Sequence, residues 1–385
     1  MDRLAKIKLL TRAAQFDLCT STAPVKVRVA QSKGMTKHGT DRDLAQWLYP
    51  ASLPNGRHLA LLKVLQTNMC DNNCLYCGLR RERTVPRCEF SPDELAASFD
   101  RMVRRGIAQG LFLSSAVYDS APRAQERMIA TVELLRFKYQ FSGYVHLKLL
   151  PGCGPAAVER SVELADRVSV NLEAPNRDRL ARLSHDKRFE EDLLRTMLSA
   201  RHFLGLASDA TTDITTQFVV GAAGETDREI LTTVEHLQRR VDLARVYFSA
   251  FRPLPDTPLE SVAATPLLRE NRLYQSHYLM RRYGFVLDDL CFDEDDQLCR
   301  DTDPKMAWAL RHPEFFPVEV NGASKAELLR IPGIGPRSAS RILRLRRGRA
   351  FRDLRDLRVV GAVATRAAPF VLLNGKSAPS QLALC

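Results

Sequence analysis

The chain has 385 residues, 45% hydrophobic and 26% charged, with nine cysteines and a net charge of +12. That length allows a large core with one or two appendages, and the composition excludes fibrous, low-complexity and disulfide-scaffold classes. The amino terminus, MDRLAKIKLL, lacks an apolar stretch long enough for a signal peptide, and no run of about 18 apolar residues occurs. A cytoplasmic protein without a membrane partner is therefore expected, in which clustered thiols bind metal or do chemistry more often than they form disulfides.

Residues 1–57 lack clear periodicity and are expected to form an irregular lead-in. Short apolar runs follow at 59–66, 110–114, 144–149, 167–172, 215–220 and 245–249. Each is apolar over most of its length, as expected of strands covered by helices on one face and packed inside a barrel on the other. Helical stretches fall between them. One opens with 91-SPDE-94, a capping box with Pro92 at the first helical position, and another with 226-TDRE-229. Others are expected near 123–139, 156–165 and 189–204. Six strands alternating with helices imply an α/β fold with a parallel sheet, either open or closed into a partial (β/α) barrel. Such sheets keep their chemistry at the carboxyl ends of the strands. Residues 252–316 are rich in Pro, Asp and Arg, with one helix near 267–283.

The stretch 67-TNMCDNNCLYCGLR-80 sets Cys70, Cys74 and Cys77 just after the first of these six strands. Thiolates select zinc, Cu(I) or iron–sulfur clusters. A structural zinc site needs a fourth ligand at comparable spacing, and the next cysteine, Cys88, lies eleven residues on. A [4Fe–4S] cluster on three thiolates leaves one iron free for an exogenous ligand. Cys19, Cys88, Cys153, Cys291 and Cys299 are candidates for a second cluster, although free cysteines are commonly buried small hydrophobes.

The C-x3-C-x2-C spacing with Tyr76 before the last cysteine resembles the signature of radical S-adenosylmethionine (SAM) enzymes. The resemblance implies a partial (β/α)6 TIM-like barrel, a [4Fe–4S] cluster on Cys70, Cys74 and Cys77, and SAM chelated by its open iron. Electron transfer into the sulfonium then releases a 5′-deoxyadenosyl radical. The same resemblance points to Tyr76, Ser114, Ser115, Asn171, Glu173, Gln217 and Gly221 around SAM. Ser114 and Ser115 stand where relatives carry a Gly-Gly-Glu segment; the acidic residue is missing, which leaves the contact to the SAM amino group to hydroxyls or backbone carbonyls. Gly224, Tyr247 and Ser249 lie at comparable depth. Glu173 read alone could equally be a strand-end carboxylate paired with an arginine.

Beyond residue 317 the character changes. The segment 326-AELLRIPGIGPRSASRIL-343 predicts two short helices joined by a tight turn, the first capped by Ser324 and Glu327, the second opened by Pro336. Glycines flanking Ile334 leave amides exposed at a helix amino terminus, which suits a phosphate. Between Val318 and Lys376, 13 Lys+Arg stand against 4 Asp+Glu, a net +9 of the chain's +12. Such an excess fits a nucleic-acid partner or a solvated basic tail.

This segment closely resembles the helix-hairpin-helix of DNA repair and uptake proteins, which grip the DNA backbone without reading sequence. By that resemblance the Gly333 and Gly335 amides contact phosphates, and Arg337, Arg341 and Arg344, with Arg346 and Arg347, supply countercharge. The run 351–361 looks like a second, degenerate half. A hairpin serving protein contacts is the other reading.

Taken together, and with 304–321, the chain resembles a bacterial family described as DNA modification or repair radical SAM proteins. The resemblance implies DNA as partner, a uracil-DNA-glycosylase-like protein partner and a flavodoxin- or ferredoxin-type reductant. The expected domains are a lead-in (1–57), a barrel (58–251), an extension (252–316), an all-α helix-hairpin-helix domain (317–376) and a tail (377–385). Two alternatives stand beside DNA modification: a radical SAM enzyme acting on RNA such as tRNA, and a non-enzymatic zinc-containing nucleic-acid-binding protein.

Overall fold

A computed structural model describes residues 1–14, 48–52, 58–206 and 212–377. Its main sheet has seven strands in the order of the sequence: β1 (Leu48–Ser52), β2 (His58–Leu65), β3 (Gly110–Ser114), β4 (Tyr144–Lys148), β5 (Arg167–Ser169), β6 (Asp213–Val220) and β7 (Arg245–Ala250). β1 runs antiparallel to β2, and β2 through β7 are all parallel. Consecutive parallel neighbours require a crossover after every strand, and helices supply them. The six parallel strands form the expected partial barrel.

The crossover helices begin where the sequence places caps. Ser91 and Glu94 close a capping box on the helix Pro92–Arg104, and Thr226 and Glu229 exchange the same pair of bonds ahead of Asp227–Val241. The 123–139 stretch is a helix, Ala121–Glu133, that ends in a π-helical turn, Leu134–Lys138. The 189–204 stretch begins with such a turn, Phe189–Leu194.

Alternation along the strands divides the sheet into two unlike faces. Val64, Leu111, Leu113, Val145, Leu147, Val168, Phe218, Val246 and Phe248 are fully buried on the helix-covered face. The opposite positions are largely polar: Lys63, Phe112, His146, Ser169, Thr215, Gln217 and Tyr247. Here the structure departs from the expectation of strands packed apolar on both faces. Lys63 Nζ lies 4.7 Å from the Phe112 ring centroid, Phe112 stacks on His146 at 4.0 Å, and His146 Nε2 is 2.9 Å from Ser169 Oγ. A barrel lined this way is built around a polar guest and not a packed apolar plug.

The lead-in is not irregular throughout. Arg3–Ala13 is a helix capped by Asp2, with Leu10 and Thr11 buried, and Lys6 Nζ reaches Glu94 Oε2 at 2.8 Å. One of its buried positions is a threonine, Thr11, next to Arg12, which hides its periodicity in the sequence. β1 also lies in this region. Cys19, a candidate for a second cluster, falls outside the described residues.

The chain divides into two compact units, Met1–Glu225 with His236–Thr265, and Thr226–Glu235 with Pro266–Cys385. In the second unit the helices Leu267–Tyr283 and Pro304–Arg311 precede the carboxyl-terminal module. Trp308 sits among Phe285, Phe315 and Phe316 at centroid distances of 5.8, 5.3 and 6.1 Å. Arg330 stacks on Phe285 and Trp308 and pairs with Asp289 at 3.0 Å, which fixes the first hairpin helix to this cluster. The module was expected to be all-α, but it also carries a three-stranded sheet of β8 (Val318–Glu319), β9 (Val371–Leu373) and β10 (Lys376–Ser377). These strands are two or three residues long, too short for a periodicity signal.

Candidate functional site

The three cysteines lie in the loop that leaves the carboxyl end of β2. Backbone bonds stitch this loop to the neighbouring strand ends: Gln66 N–H to Ser114 O at 2.8 Å, Asp71 N–H to Val117 O at 2.7 Å, and Leu75 N–H to Leu183 O at 2.8 Å. Asn68 closes its far side, accepting from Cys88 N–H at 2.8 Å and donating to Pro86 O at 2.8 Å. The Arg87 guanidinium donates to the carbonyls of Asn68, Leu79, Arg80 and Arg83. A single side chain thus gathers four carbonyls that would otherwise need water. Nothing in 84-TVPRCEF-90 marks Arg87 as special, and sequence reasoning missed it.

Cys74 is buried, its Sγ 3.2 Å from Ser184 Oγ, and Leu79 N–H donates to Cys77 Sγ at 3.4 Å. Burial pushes the Cys77 thiol up to about 12, and the neighbouring cysteines add to the effect. Burial likewise raises Cys70. Left to themselves Cys70 and Cys77 are protonated; a metal that ligates them must displace the protons. Among the described residues no three His, Cys, Asp or Glu side chains are set to hold a single metal ion. A cubane takes one thiolate at each of several corners, and three thiols carried on one short loop are the donor set that suits it.

The other rim residues fall into two groups. Tyr76 and Glu173 come together through Lys187, which no motif had indicated. Glu173 follows β5 with a φ of +64°, donates its N–H to Gln217 O at 3.0 Å, and accepts from Lys187 Nζ at 3.1 Å. Lys187 Nζ is also 3.4 Å from Tyr76 Oη. Burial alone would lower the Lys187 ammonium, but the Glu173 carboxylate, Tyr76 and Cys74 outweigh it and hold the pKa well above the ordinary lysine value. Burial pushes the Tyr76 hydroxyl well up, and Glu173 adds to it. The carboxylate is therefore paired, with a lysine fourteen residues on instead of an arginine.

The second group holds the rim by backbone. Ser114 and Asn171 are buried, and Ser115 Oγ donates to Ala116 O at 2.8 Å. Gln217 stands opposite Tyr247 in the β6–β7 register. Gly221 adopts a φ of +95°, and its N–H is taken by the buried Glu225 carboxylate, which also accepts from Ala223 N–H at 3.1 Å. Glu225 is a second residue that sequence reasoning missed.

Breaking the Glu173–Lys187 pair provides a first prediction. The two side chains are only 7% and 11% exposed, so Glu173→Ala strands a buried ammonium and is expected to lower stability by about 3–5 kcal/mol. Chemical denaturation of wild type and variant measures it; a loss under about 1 kcal/mol, the range of an exposed pair, would show that the site is open to water.

In the second unit, the helix Lys325–Arg330 is capped by Ser324 and Glu327, and Pro336–Leu345 opens at Gly335. The turn between them bears Gly333 at a φ of +86°, its carbonyl accepting from Val363 N–H at 2.9 Å. A second pair, Leu354–Val359 and Ala364–Ala367, follows with Gly361 at a φ of +80° in its turn. The degenerate half read from the sequence is thus a real second hairpin. Among the described residues Arg337, Arg344 and Arg347 have no hydrogen-bond or ion-pair partner and are exposed. Arg341 donates to Val360 O at 3.3 Å. Arg346 donates to the carbonyls of Val320 and Ala323, so it ties the module together and is not a free countercharge.

Of the other cysteines, Cys88 closes the Asn68 bond described above. Cys153 is buried and its thiol is pushed up to about 12. Burial raises the Cys291 thiol, with the Arg311 guanidinium acting against it. No helix among the described residues is long and apolar enough to cross a membrane.

A partial parallel barrel with a polar interior and a cysteine-bearing loop at its carboxyl rim defines a class of enzyme that works through a thiolate-held cluster. The radical SAM superfamily matches residues 64–237, and the helix-hairpin-helix motif matches residues 315–366. The superfamily uses a [4Fe–4S] cluster and SAM. Among curated relatives, the threonylcarbamoyladenosine tRNA methylthiotransferase MtaB of Thermotoga maritima is 26% identical over 195 residues, covering 49% of this chain and 43% of that protein. The tRNA-2-methylthio-N(6)-dimethylallyladenosine synthase of a Nocardioides species is 23% identical over 295 residues, covering 75% and 55%. The chain thus spans about half the length of these relatives. Among solved structures, the FeFe-hydrogenase maturase HydG from Carboxydothermus hydrogenoformans is 16% identical with a TM-score of 0.45, covering 72% of this chain and 63% of that one. Methylornithine synthase (PylB) is 14% identical with a TM-score of 0.47, covering 63% and 66%.

Proposed function

We propose that this radical SAM enzyme modifies or repairs DNA held by its helix-hairpin-helix module. The observation that carries the reading is the presence in one chain of a cysteine-rimmed barrel with a polar lumen and a paired hairpin module with unpartnered arginines. In this reading Cys70, Cys74 and Cys77 hold the cluster, and Tyr76, Ser114, Ser115, Asn171, Glu173, Gln217 and Gly221 surround SAM. When bound, the cluster and SAM supply a reductively generated 5′-deoxyadenosyl radical. The protein's own contribution is positional. Arg87 and Asn68 fix the shape of the cysteine loop, Lys187 fixes Tyr76 against Glu173, and the lumen residues Lys63, His146 and Ser169 present polar contacts to a substrate group.

Gly333, Gly335, Arg337, Arg341 and Arg344 grip the phosphate backbone, giving affinity that depends on salt and little on sequence. A base must leave the stack to enter a barrel. A uracil-DNA-glycosylase-like protein, and a flavodoxin- or ferredoxin-type reductant, complete the proposed system in the cytoplasm.

A second reading, RNA as substrate, is favoured by the two curated relatives, both named for tRNA products. Nucleoside mass spectrometry after anaerobic incubation of reduced protein and SAM with DNA or with tRNA decides between them. A new deoxynucleoside is the expected result. A product from tRNA alone would establish the second reading, and none from either would remove nucleic acid as substrate.

A further inference from the structure

The hairpin module contains more than a phosphate clamp. A cavity of about 560 Å³ lies against the first hairpin turn, within the second unit. That volume is in the roughly 300–1,000 Å³ range of sites for small organic molecules. One wall is the Gly333–Gly335 turn with Arg337; another is aromatic, from Tyr278 and Tyr283 of the helix Leu267–Tyr283; Lys305 and Arg366 complete it. A flat clamp on continuous duplex needs neither depth nor an aromatic wall.

The chemistry of these walls is specific. Tyr278 is 52% exposed, an unusual position for a large ring, and meets Tyr283 edge-on at 5.8 Å. Lys305 is buried, with Nζ 4.6 Å from the Tyr283 ring centroid and donating to Ile334 O at 2.6 Å. It therefore holds the carbonyl of the turn inward. Burial pushes its ammonium down to about 7, with Asp303 acting against the loss and Arg366 and Arg330 adding to it. Arg366 pairs with Asp303, the one acidic residue of the lining. Two guanidiniums, Arg337 and Arg366, against one carboxylate, with Lys305 available to share a proton and a half-open tyrosine beside them, complement an anionic group attached to a flat ring.

We propose that this cavity receives one unpaired nucleotide of a nucleic-acid strand, at a strand end or an extrahelical position, with its base on Tyr278 and Tyr283 and its phosphate near Arg337, Arg366 and Lys305. The inference rests on the reading that the module holds nucleic acid, and goes beyond it: the enzyme selects interrupted or single-stranded sites over intact duplex. A paired base cannot stack on these rings, because its own faces are covered by its neighbours in the duplex. Stacking on an aromatic side chain is worth about 1–3 kcal/mol per base, and the tyrosines offer it without reading sequence.

The test compares binding of the full chain to a blunt duplex and to the same duplex carrying a short 5′-phosphorylated single-stranded overhang, for wild type, Tyr278→Ala and Tyr278→Phe. Wild type is expected to prefer the overhang; Tyr278→Ala should lose roughly 5- to 150-fold on it, the range set by the stacking energy above, with duplex affinity unchanged, while Tyr278→Phe retains the preference. The ring is exposed, so its removal takes nothing from the core, and unchanged duplex binding reports on folding directly. Equal binding of both ligands by wild type, or equal effects of Tyr278→Ala on both, overturns the pocket and leaves the nucleic-acid reading standing. Absence of binding to either ligand overturns both.

Discussion

Cys74→Ala, purified without oxygen and reconstituted with iron and sulfide, is expected to hold no stable cubane and to cleave no SAM under dithionite, yet to bind nucleic acid like the wild type. The side chain is buried beside Ser184 in a loop fixed by Arg87 and Asn68, so the loop keeps its shape when one thiol is removed. What disappears is the third sulfur. Two thiolates leave two irons without protein ligands, and the cluster is then open to loss. Iron content, the visible absorption of the cluster and 5′-deoxyadenosine release give independent readouts. If the variant retained cleavage, the site would lie elsewhere, and the rim described above would be a structural loop. Removing zinc from the wild type with a chelator while cleavage persists would separate the cluster from an adventitious ion.

Gly333→Ala is expected to do the reverse: lose nucleic-acid binding and unfold the hairpin module at lower denaturant, with SAM cleavage retained. Two costs combine at this position. A side chain at a φ of +86° costs about 1–2 kcal/mol. The added Cβ would also lie 2.4 Å from Val363 O and 3.1 Å from Arg366 Cβ, so the two hairpins must separate to admit it. A loss of about 2–4 kcal/mol follows from strain and overpacking together. Gly335→Ala is the companion variant. Its backbone lies in the ordinary extended region, and its Cβ would meet only Tyr283 Oη, at 3.3 Å. It should fold normally and alter affinity alone. Denaturant unfolding followed on the second unit, with salt-dependent binding measured in parallel, separates the two effects. A Gly333→Ala protein as stable as wild type would mean the second hairpin does not pack on the first.

The capping boxes at Ser91–Glu94, Thr226–Glu229 and Ser324–Glu327 form as read, because a cap is a local bond between residues three apart, and its donors and acceptors are all in the sequence. The six parallel strands were readable for a related reason: a strand under helices must be apolar on the covered face, and Val, Leu and Ile concentrate there. The concave face was misjudged. Lys63 is a single polar residue inside an apolar run, His146, Ser169 and Gln217 stand in runs that mix polar and apolar positions, and which face each occupies depends on register across the sheet, a property of several strands at once.

By itself, then, the sequence determined the elements, the cysteine triad and the hairpin, all of which rest on contacts within about ten residues. Only the tertiary structure decided that Lys187 pairs with Glu173, that Arg87 ties Asn68 into the cysteine loop, and that Tyr278, Lys305 and the Gly333 turn share a cavity. Most of these partners are separated by loops whose path is set by packing, and long-range proximity of polar groups leaves no periodic trace in a chain.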